Sequence, residues 1–221
     1  MKNYGIFDVM GPIMIGPSSS HTAGAARLGR LAAKINGKDF TEVNFYLHGS
    51  FAKTYLGHGT DKALVAGALG MMPDDENLPF SHDIARKKGI TFNFIETDLG
   101  EVHPNSVKIE MKYPTGRVSY IIGSSIGGGK IKIIDIDGLK LDFTNEFSTI
   151  VLKYAEQKGV ISFVSTILAE NGYNIEKMIT DKQDDIVTLM VDLSEDLTDS
   201  IKSEILNDKR FILTKYIQGG Y

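Results

Sequence analysis

The sequence predicts an α+β protein in two parts that meet near residue 146. Before residue 146, segments with helical spacing of apolar residues come first and alternating segments come later. After it, the apolar segments follow the order β-α-β-β-α-β, which is typical of a ferredoxin-like fold. All five histidines and most of the glycines fall in the first part. We therefore expect one domain over residues 1–145 and a second over residues 148–221.

Two helices and four strands are predicted in the first part. Residues 22–35 should form a helix, because apolar residues recur at i, i+3, i+4 and i+7 from Leu28. The small residues of 60–71 predict a second, closely packed helix that ends at Pro73. Alternation of apolar and polar residues predicts strands at 43–47, 106–113, 117–123 and 130–137. The first part is therefore α+β, with helices early and a strand meander late.

The second part is predicted to place two helices on one face of a four-stranded antiparallel sheet. The first helix has Val160, Phe163 and Val164 on one face, and Asn171-Gly172 closes it as a C-cap. The predicted strands are 148–154, 174–180, 186–193 and 211–218, and the predicted helices are 160–170 and 197–206.

The composition excludes several classes of function. The 221 residues include no cysteine, which rules out disulfides, cysteine nucleophiles, cysteine-ligated zinc and any iron–sulfur cluster held by this chain alone. The net charge of -4 argues against a nucleic-acid partner. The longest apolar run, residues 63–72, is about half of the roughly 20 residues that cross a bilayer. We expect a cytoplasmic protein with no membrane partner.

The most distinctive stretch, residues 16–24, reads GPSSSHTAG and opens directly into the first helix. A single serine there would serve as an ordinary N-cap. Three serines followed by His21 exceed that need, and the amides and dipole of a helix N-terminus favour an anion. A carboxylate bound there, with His21 beside it as general base, would suit an amino acid or a hydroxy acid. On spacing alone, the cap and the carboxylate site both stay open.

Three further motifs carry polar residues that have a structural and a functional interpretation. The glycines on both sides of His58 allow close approach of a ligand, or simply form a turn before the next helix. His103-Pro104-Asn105 is either a bend or part of a site. Residues 123–129, which read GSSIGGG, are predicted to form a loop between two strands, either a flexible hairpin loop or an anion-binding nest.

The five histidines do not form a metal-binding pattern. They are separated by long intervals, with no i, i+4 pair and no His-Glu-x-x-His, so that no metal site is predicted in this chain. His48 and His82 are interpreted as structural or surface histidines.

Taken together, these motifs resemble the β subunit of two-chain, iron–sulfur-dependent bacterial L-serine dehydratase. The resemblance covers about the first 140 residues and is strongest at the Ser-Ser-Ser-His-Thr element. Residues 148–221 resemble an ACT domain, an amino-acid-responsive module. The matching segments are 7–12, 16–22, 47–50, 57–61, 103–105 and 125–129.

The resemblance implies a lyase subunit that converts L-serine to pyruvate and ammonia with a partner α subunit. A [4Fe–4S] cluster ligated by the α chain would act on the serine hydroxyl. His21 would be the base, with His58 and His103 as competitors for that role. The residues implied to bind substrate are Ser19, Ser20, Thr22, His58, His103, Asn105, Ser124 and Ser125. The ACT domain would mediate self-association, and its implied effector-binding residues are Gly159, Val160 and Asn174.

Two other classes of function stay open. The same kind of domain is attached to phosphoglycerate dehydrogenases as a serine-sensing regulatory module, so this chain could be a non-catalytic sensor. A structural partner that dimerises through its ACT sheet would need no site at all.

Overall fold

The computed structural model describes residues 12–220, and the chain folds as two compact units, Met1–Thr144 and Asn145–Tyr221. The part of the resemblance that falls on residues 7–11 lies outside the described residues. Within residues 12–220, no helix is both long enough and apolar enough to cross a membrane.

The first unit contains a six-stranded sheet with helices packed on it. Its helical segments are a π-helical turn Ser19–Gly24, α1 Ala25–Asn36, α2 Gly49–Thr54, α3 Thr60–Ala68, a 3-10 turn Leu78–Phe80 and α4 Ser81–Lys87. Its strands are β1 Glu42–Leu47, β2 Thr91–Glu96, β3 Ser106–Lys112, β4 Val118–Gly127, β5 Lys130–Ile136 and β6 Leu139–Phe143. The sheet order is β2-β1-β3-β4-β5-β6, with β1 and β2 parallel and the other neighbours antiparallel. The predicted α+β class with a late meander is confirmed.

Helices α1 and α3 pack against each other with almost no space between their backbones. A Cβ at Gly29 would overlap the carbonyl oxygen of Leu64, and a Cβ at Gly67 would overlap the carbonyl oxygen of Ala26. The two glycines therefore fix where the helices cross. This confirms the close packing that the small residues of the second helix predict.

Helix α3 ends earlier than predicted, at Ala68 rather than near Pro73. Gly70 has a φ of 96°, its N–H donates to the Gly67 carbonyl, and the Met71 N–H donates to the Ala66 carbonyl. This pair of bonds satisfies the last carbonyls of a helix around a left-handed glycine. Gly70, and not Pro73, therefore ends helix α3.

The second unit is a four-stranded antiparallel sheet with two helices. Its elements are β7 Ser148–Ala155, α5 Val160–Glu170, β8 Ile175–Gln183, β9 Ile186–Leu193, α6 Asp199–Leu206 and β10 Phe211–Ile217. The sheet order β10-β7-β9-β8 places the first and third strands in the centre. The core lies between the helices and the central strands, where Val164, Leu189 and Ile205 are fully buried. The predicted ferredoxin-like arrangement is confirmed.

Candidate active site

His21 lies on the π-helical turn that precedes α1. Ser18 caps this turn: its Oγ accepts a hydrogen bond of 3.2 Å from the His21 N–H, and its carbonyl accepts one of 2.8 Å from the Thr22 N–H. A side chain on a wide π turn points differently from one on an α-helix, and such turns are frequent at functional sites. The local backbone therefore sets the direction of the His21 ring.

Four neighbouring side chains surround part of the His21 imidazole. Its Nε2 lies 3.1 Å from the Oγ of Ser50, and its Nδ1 lies 3.4 Å from the Oγ of Ser18. The edge-on ring of buried Phe51 has its centroid 5.3 Å away, and the ring centroid of His58 is 4.8 Å away. Since Phe51 is buried and His58 is exposed, His21 lies at the boundary between the core and the surface.

This environment keeps the His21 ring neutral. Partial burial lowers the pKa of His21 below its ordinary value of 6.5, and the charge of His58 lowers that pKa further. A neutral imidazole at pH 7 can accept a proton, which is what a general base requires.

Ser19, Ser20 and Thr22 share the π turn with His21 but differ in access. Ser19 and Ser20 are half-buried on the first turn, where backbone amides have no partner within a helix. Thr22 is 2% exposed, and its hydroxyl faces the carbonyl oxygen of His58 at 3.5 Å. The two serines are therefore better placed than Thr22 to meet a carboxylate from solvent.

The His58 segment lies directly over the π turn. Gly59 has a left-handed φ of 67° and precedes the first residue of α3, which gives the sharp entry into that helix. Thr22, His58, Gly59 and Lys62 line a pocket of about 160 Å³. The sequence motif around His58 thus forms one wall of a cavity beside the candidate base.

The bend at His103-Pro104-Asn105 contacts helix α2, the helix that carries Ser50 and Phe51. The Pro104 carbonyl accepts a 2.8 Å bond from the N–H of Ser50, and a Cβ at Gly49 would lie 2.6 Å from that oxygen. The ring of exposed His103 accepts a 3.1 Å bond from the N–H of Asn105 instead of contacting His21. Among residues 12–220, the aromatic contacts of His21 are with Phe51 and His58.

The prediction of a loop over residues 123–129 is correct only for the last two of these seven residues. Strand β4 continues through Gly127, and the hairpin turn occupies the glycines that follow. Ser124 is buried with its Oγ 2.7 Å from that of Ser106, while a Cβ at Gly24 would overlap the hydroxyl of buried Ser125. The strand persists because β3 and β5 pair with it on both sides, and it brings Ser125 under the π turn rather than into solvent.

The three predicted effector-binding residues lie around the start of α5 and of β8. Gly159 is the N-cap of α5 with a left-handed φ of 88°, and Val160 behind it is buried. The side-chain amide of exposed Asn174 donates a 2.8 Å bond to the carboxylate of Glu176. The prediction that these residues bind an effector stays a prediction.

Sequence reasoning missed two residues that contact His21, namely Ser50 and Phe51. Ser50 lies 29 positions from His21, on a helix of six residues that shows no periodic pattern. The sequence pointed to Ser50 only because it follows Gly49 in segment 47–50, which is one of the segments that carry the family resemblance. No three His, Asp or Glu side chains come together as around a metal ion within residues 12–220.

Comparison with known proteins gives the same family along the whole chain. The model of the family described as serine dehydratase beta chain matches residues 5–87. The chain is 51% identical to the L-serine dehydratase beta chain of Peptoniphilus asaccharolyticus, over 99% of this chain and 100% of that protein. It is 37% identical to the probable L-serine dehydratase beta chain of Bacillus subtilis, covering 93% of this chain and 94% of that protein.

A weaker similarity connects the chain to a dehydrogenase. It is 25% identical to D-3-phosphoglycerate dehydrogenase of Bacillus subtilis, over 87% of this chain but only 37% of that protein. The full-length matches at higher identity are to dehydratase beta chains, so the regulatory-module interpretation is not favoured. The chain belongs to the serine dehydratase beta chain family.

Proposed function

We propose that this chain is the β subunit of an L-serine dehydratase and supplies the base that removes the α-proton of L-serine. The observation that carries the proposal is a neutral, half-buried imidazole at the start of a helix whose first turn offers hydroxyls and amides. In this reaction the Cα–H and Cβ–O bonds break and a double bond forms between the two carbons. The hydroxyl takes up a proton and leaves as water, which balances the proton that the base removes from Cα. The aminoacrylate tautomerises to an imine, and hydrolysis then gives pyruvate and ammonia.

His21 and its neighbours can perform the proton-transfer half of this reaction. Ser19 and Ser20, with the helix dipole behind them, would receive the substrate carboxylate. The α-proton of an amino acid is weakly acidic, so the base must be held close to it and in the right direction. Ser50 and Phe51 provide that orientation by fixing the ring of His21.

The partner in this proposal is an α subunit that carries the iron–sulfur cluster. The residues of this chain do not fit the role of cluster ligands, because such clusters are held by cysteine thiolates and the sequence has no cysteine. We therefore assign no residue of this chain to the cluster. The exposed position of His58 beside half-buried His21 leaves the site open toward a second chain.

Reconstitution of the two chains tests this proposed function. Each chain, purified alone under anaerobic conditions, is expected to form no pyruvate from L-serine, and the two mixed chains are expected to form it. The measurement is pyruvate release, with the iron content of each sample determined in parallel. A complex that binds L-serine but never releases pyruvate would instead identify a sensor.

The pH dependence of kcat/KM should report the lowered pKa of His21. The base works when neutral, so activity should rise with pH through a midpoint below 6.5, the ordinary histidine value. Replacement of His58 by glutamine removes the positive charge that lowers this pKa. The midpoint should then move to higher pH while staying below 6.5, because burial, the larger cause, remains.

A matched histidine serves as the control for this pH measurement. His82 pairs with Asp61 at 3.1 Å and has no aromatic contact with His21 in the described part of the chain. His82→Gln should leave the acidic midpoint where it is. A midpoint that stays fixed or moves downward in His58→Gln would contradict the electrostatic coupling of His21 and His58.

A further inference from the structure

A second pocket, distinct from the candidate active site, lies at the C-terminal end of α1. It has a volume of about 150 Å³, and Arg30, Lys34 and Lys38 line it together with Ala33 and Gly70. All the charged side chains among these lining residues are cationic, although the whole chain has a net charge of -4. The pocket is therefore a local concentration of positive charge on an acidic protein.

Ordinary helix electrostatics accounts for only part of this arrangement. Cations within the last turn of a helix are favoured by its dipole, and Lys34 is in that turn. Arg30 lies six residues before the end of α1, beyond the reach of this effect, and stands at i, i+4 to Lys34, where like charges repel. Within residues 12–220, Arg30 and Lys38 have no hydrogen-bond or ion-pair partner, whereas Lys34 does have an interaction of its own.

The side chain of Lys38 lies close to Gly70, beside α1. Lys38 follows the C-cap Gly37, outside the helix, but its ammonium lies 4.0 Å from the position that a Cβ at residue 70 would take. The Lys38 ammonium therefore lies next to the backbone of Gly70, which lines the same pocket. Lys38 therefore faces the same space as the half-buried side chains of Arg30 and Lys34.

We propose that this pocket binds a phosphate group, either inorganic phosphate or the phosphate of a small phosphomonoester. The guanidinium of Arg30 offers the paired donors that match phosphate oxygens, and the two lysines add compact positive charges. Three cations around one small cavity suit a dianion better than the single carboxylate of L-serine. Helix α1 has 12 residues and spans about 18 Å; the pocket extends from Arg30 in the middle of the helix to its C-terminal end, whereas the π turn of His21 precedes its N-terminal end.

Ligand-induced stabilisation tests this proposal without any measurement of activity. Thermal unfolding of the full chain is followed at constant ionic strength while inorganic phosphate replaces chloride, and calorimetry gives the dissociation constant. We expect a saturable rise of the melting temperature, since a ligand that binds only the folded state stabilises it. A glycerol phosphate titration separates the two sources: tighter binding than inorganic phosphate identifies a phosphomonoester, and weaker binding identifies free phosphate.

Paired substitutions locate the binding to this pocket. The double variant Arg30→Gln/Lys38→Gln should fold, because it removes like-charge repulsion, and should bind phosphate at least tenfold more weakly. The control is Lys87→Gln, at an exposed lysine in the last turn of α4, which should bind as the unchanged chain does. A double variant that binds phosphate normally, or an unchanged chain without a saturable response, would overturn the proposal.

Discussion

Replacing His21 by alanine lowers the kcat of the reconstituted two-chain enzyme by a factor of about 10²–10⁴, the contribution usual for a general base. The physical reason is that His21 is the neutral, oriented imidazole of the candidate site. His58 is exposed, and the ring of His103 accepts a bond from its own bend. The measurement is the steady-state rate of pyruvate formation, with the iron content shown to be unchanged.

Two further variants give this prediction its controls. Ser50→Ala keeps the imidazole of His21 but removes its Nε2 partner, so we expect a loss of about fivefold, equivalent to a net hydrogen bond of about 1 kcal/mol. His82→Ala should retain full activity. If His21→Ala keeps its activity while His58→Ala or His103→Ala loses it, the base is assigned to the wrong histidine.

Replacing Gly67 by alanine lowers the free energy of unfolding of the first unit by about 3 kcal/mol, at the upper end of the usual cost of overpacking. The added methyl group would overlap the carbonyl of Ala26 in α1, which is backbone and cannot rotate away as a side chain can. Helices α1 and α3 must therefore move apart. Chemical denaturation, with far-UV circular dichroism as the signal, measures the loss.

A glycine that has room for a methyl group provides the matched control. A Cβ at Gly57 would meet nothing closer than the Thr54 carbonyl at 3.8 Å, an ordinary contact. Gly57→Ala should leave the unfolding free energy within about 0.5 kcal/mol of its original value, as is usual away from tight packing. Equal stabilities for Gly67→Ala and Gly57→Ala would show that the helices are not in close contact.

The fold was largely predictable because its main elements have regular apolar patterns. Helix α5 has the predicted bounds, and the Asn171-Gly172 stop is confirmed by the left-handed φ of 79° at Gly172. The missed strands β2 and β6 are the two edges of the first sheet. Edge strands bury fewer residues than central strands, and no residue of β2 is fully buried. The alternation of apolar and polar residues, from which a strand is predicted, is therefore weaker at the edges of a sheet.

The candidate site was predictable only where its residues are neighbours in the sequence. Ser18 is the N-cap of the turn Ser19–Gly24 that contains His21, so the association of these two residues can be read from their spacing. The contacts of His21 with Ser50 and Phe51 depend on the packing of a short helix against the π turn. No local rule specifies that packing, which is why neither residue was predicted to contact the base.

The π-helical turn has a consequence for how this site can be lost. Such a turn contains one more residue than an α-helical turn of the same chain. Removal of one codon from this segment would let the chain continue as regular α-helix, with α1 and its packing intact. The side chains inside the turn would take the α-helical spacing, so that the imidazole of His21 would change its direction relative to Ser50. The fold depends on the buried faces of the helices and strands, whereas the direction of the His21 ring depends on the length of one turn. A change in the length of this turn can therefore alter the direction of His21 while the buried faces of α1 and the sheet stay in place.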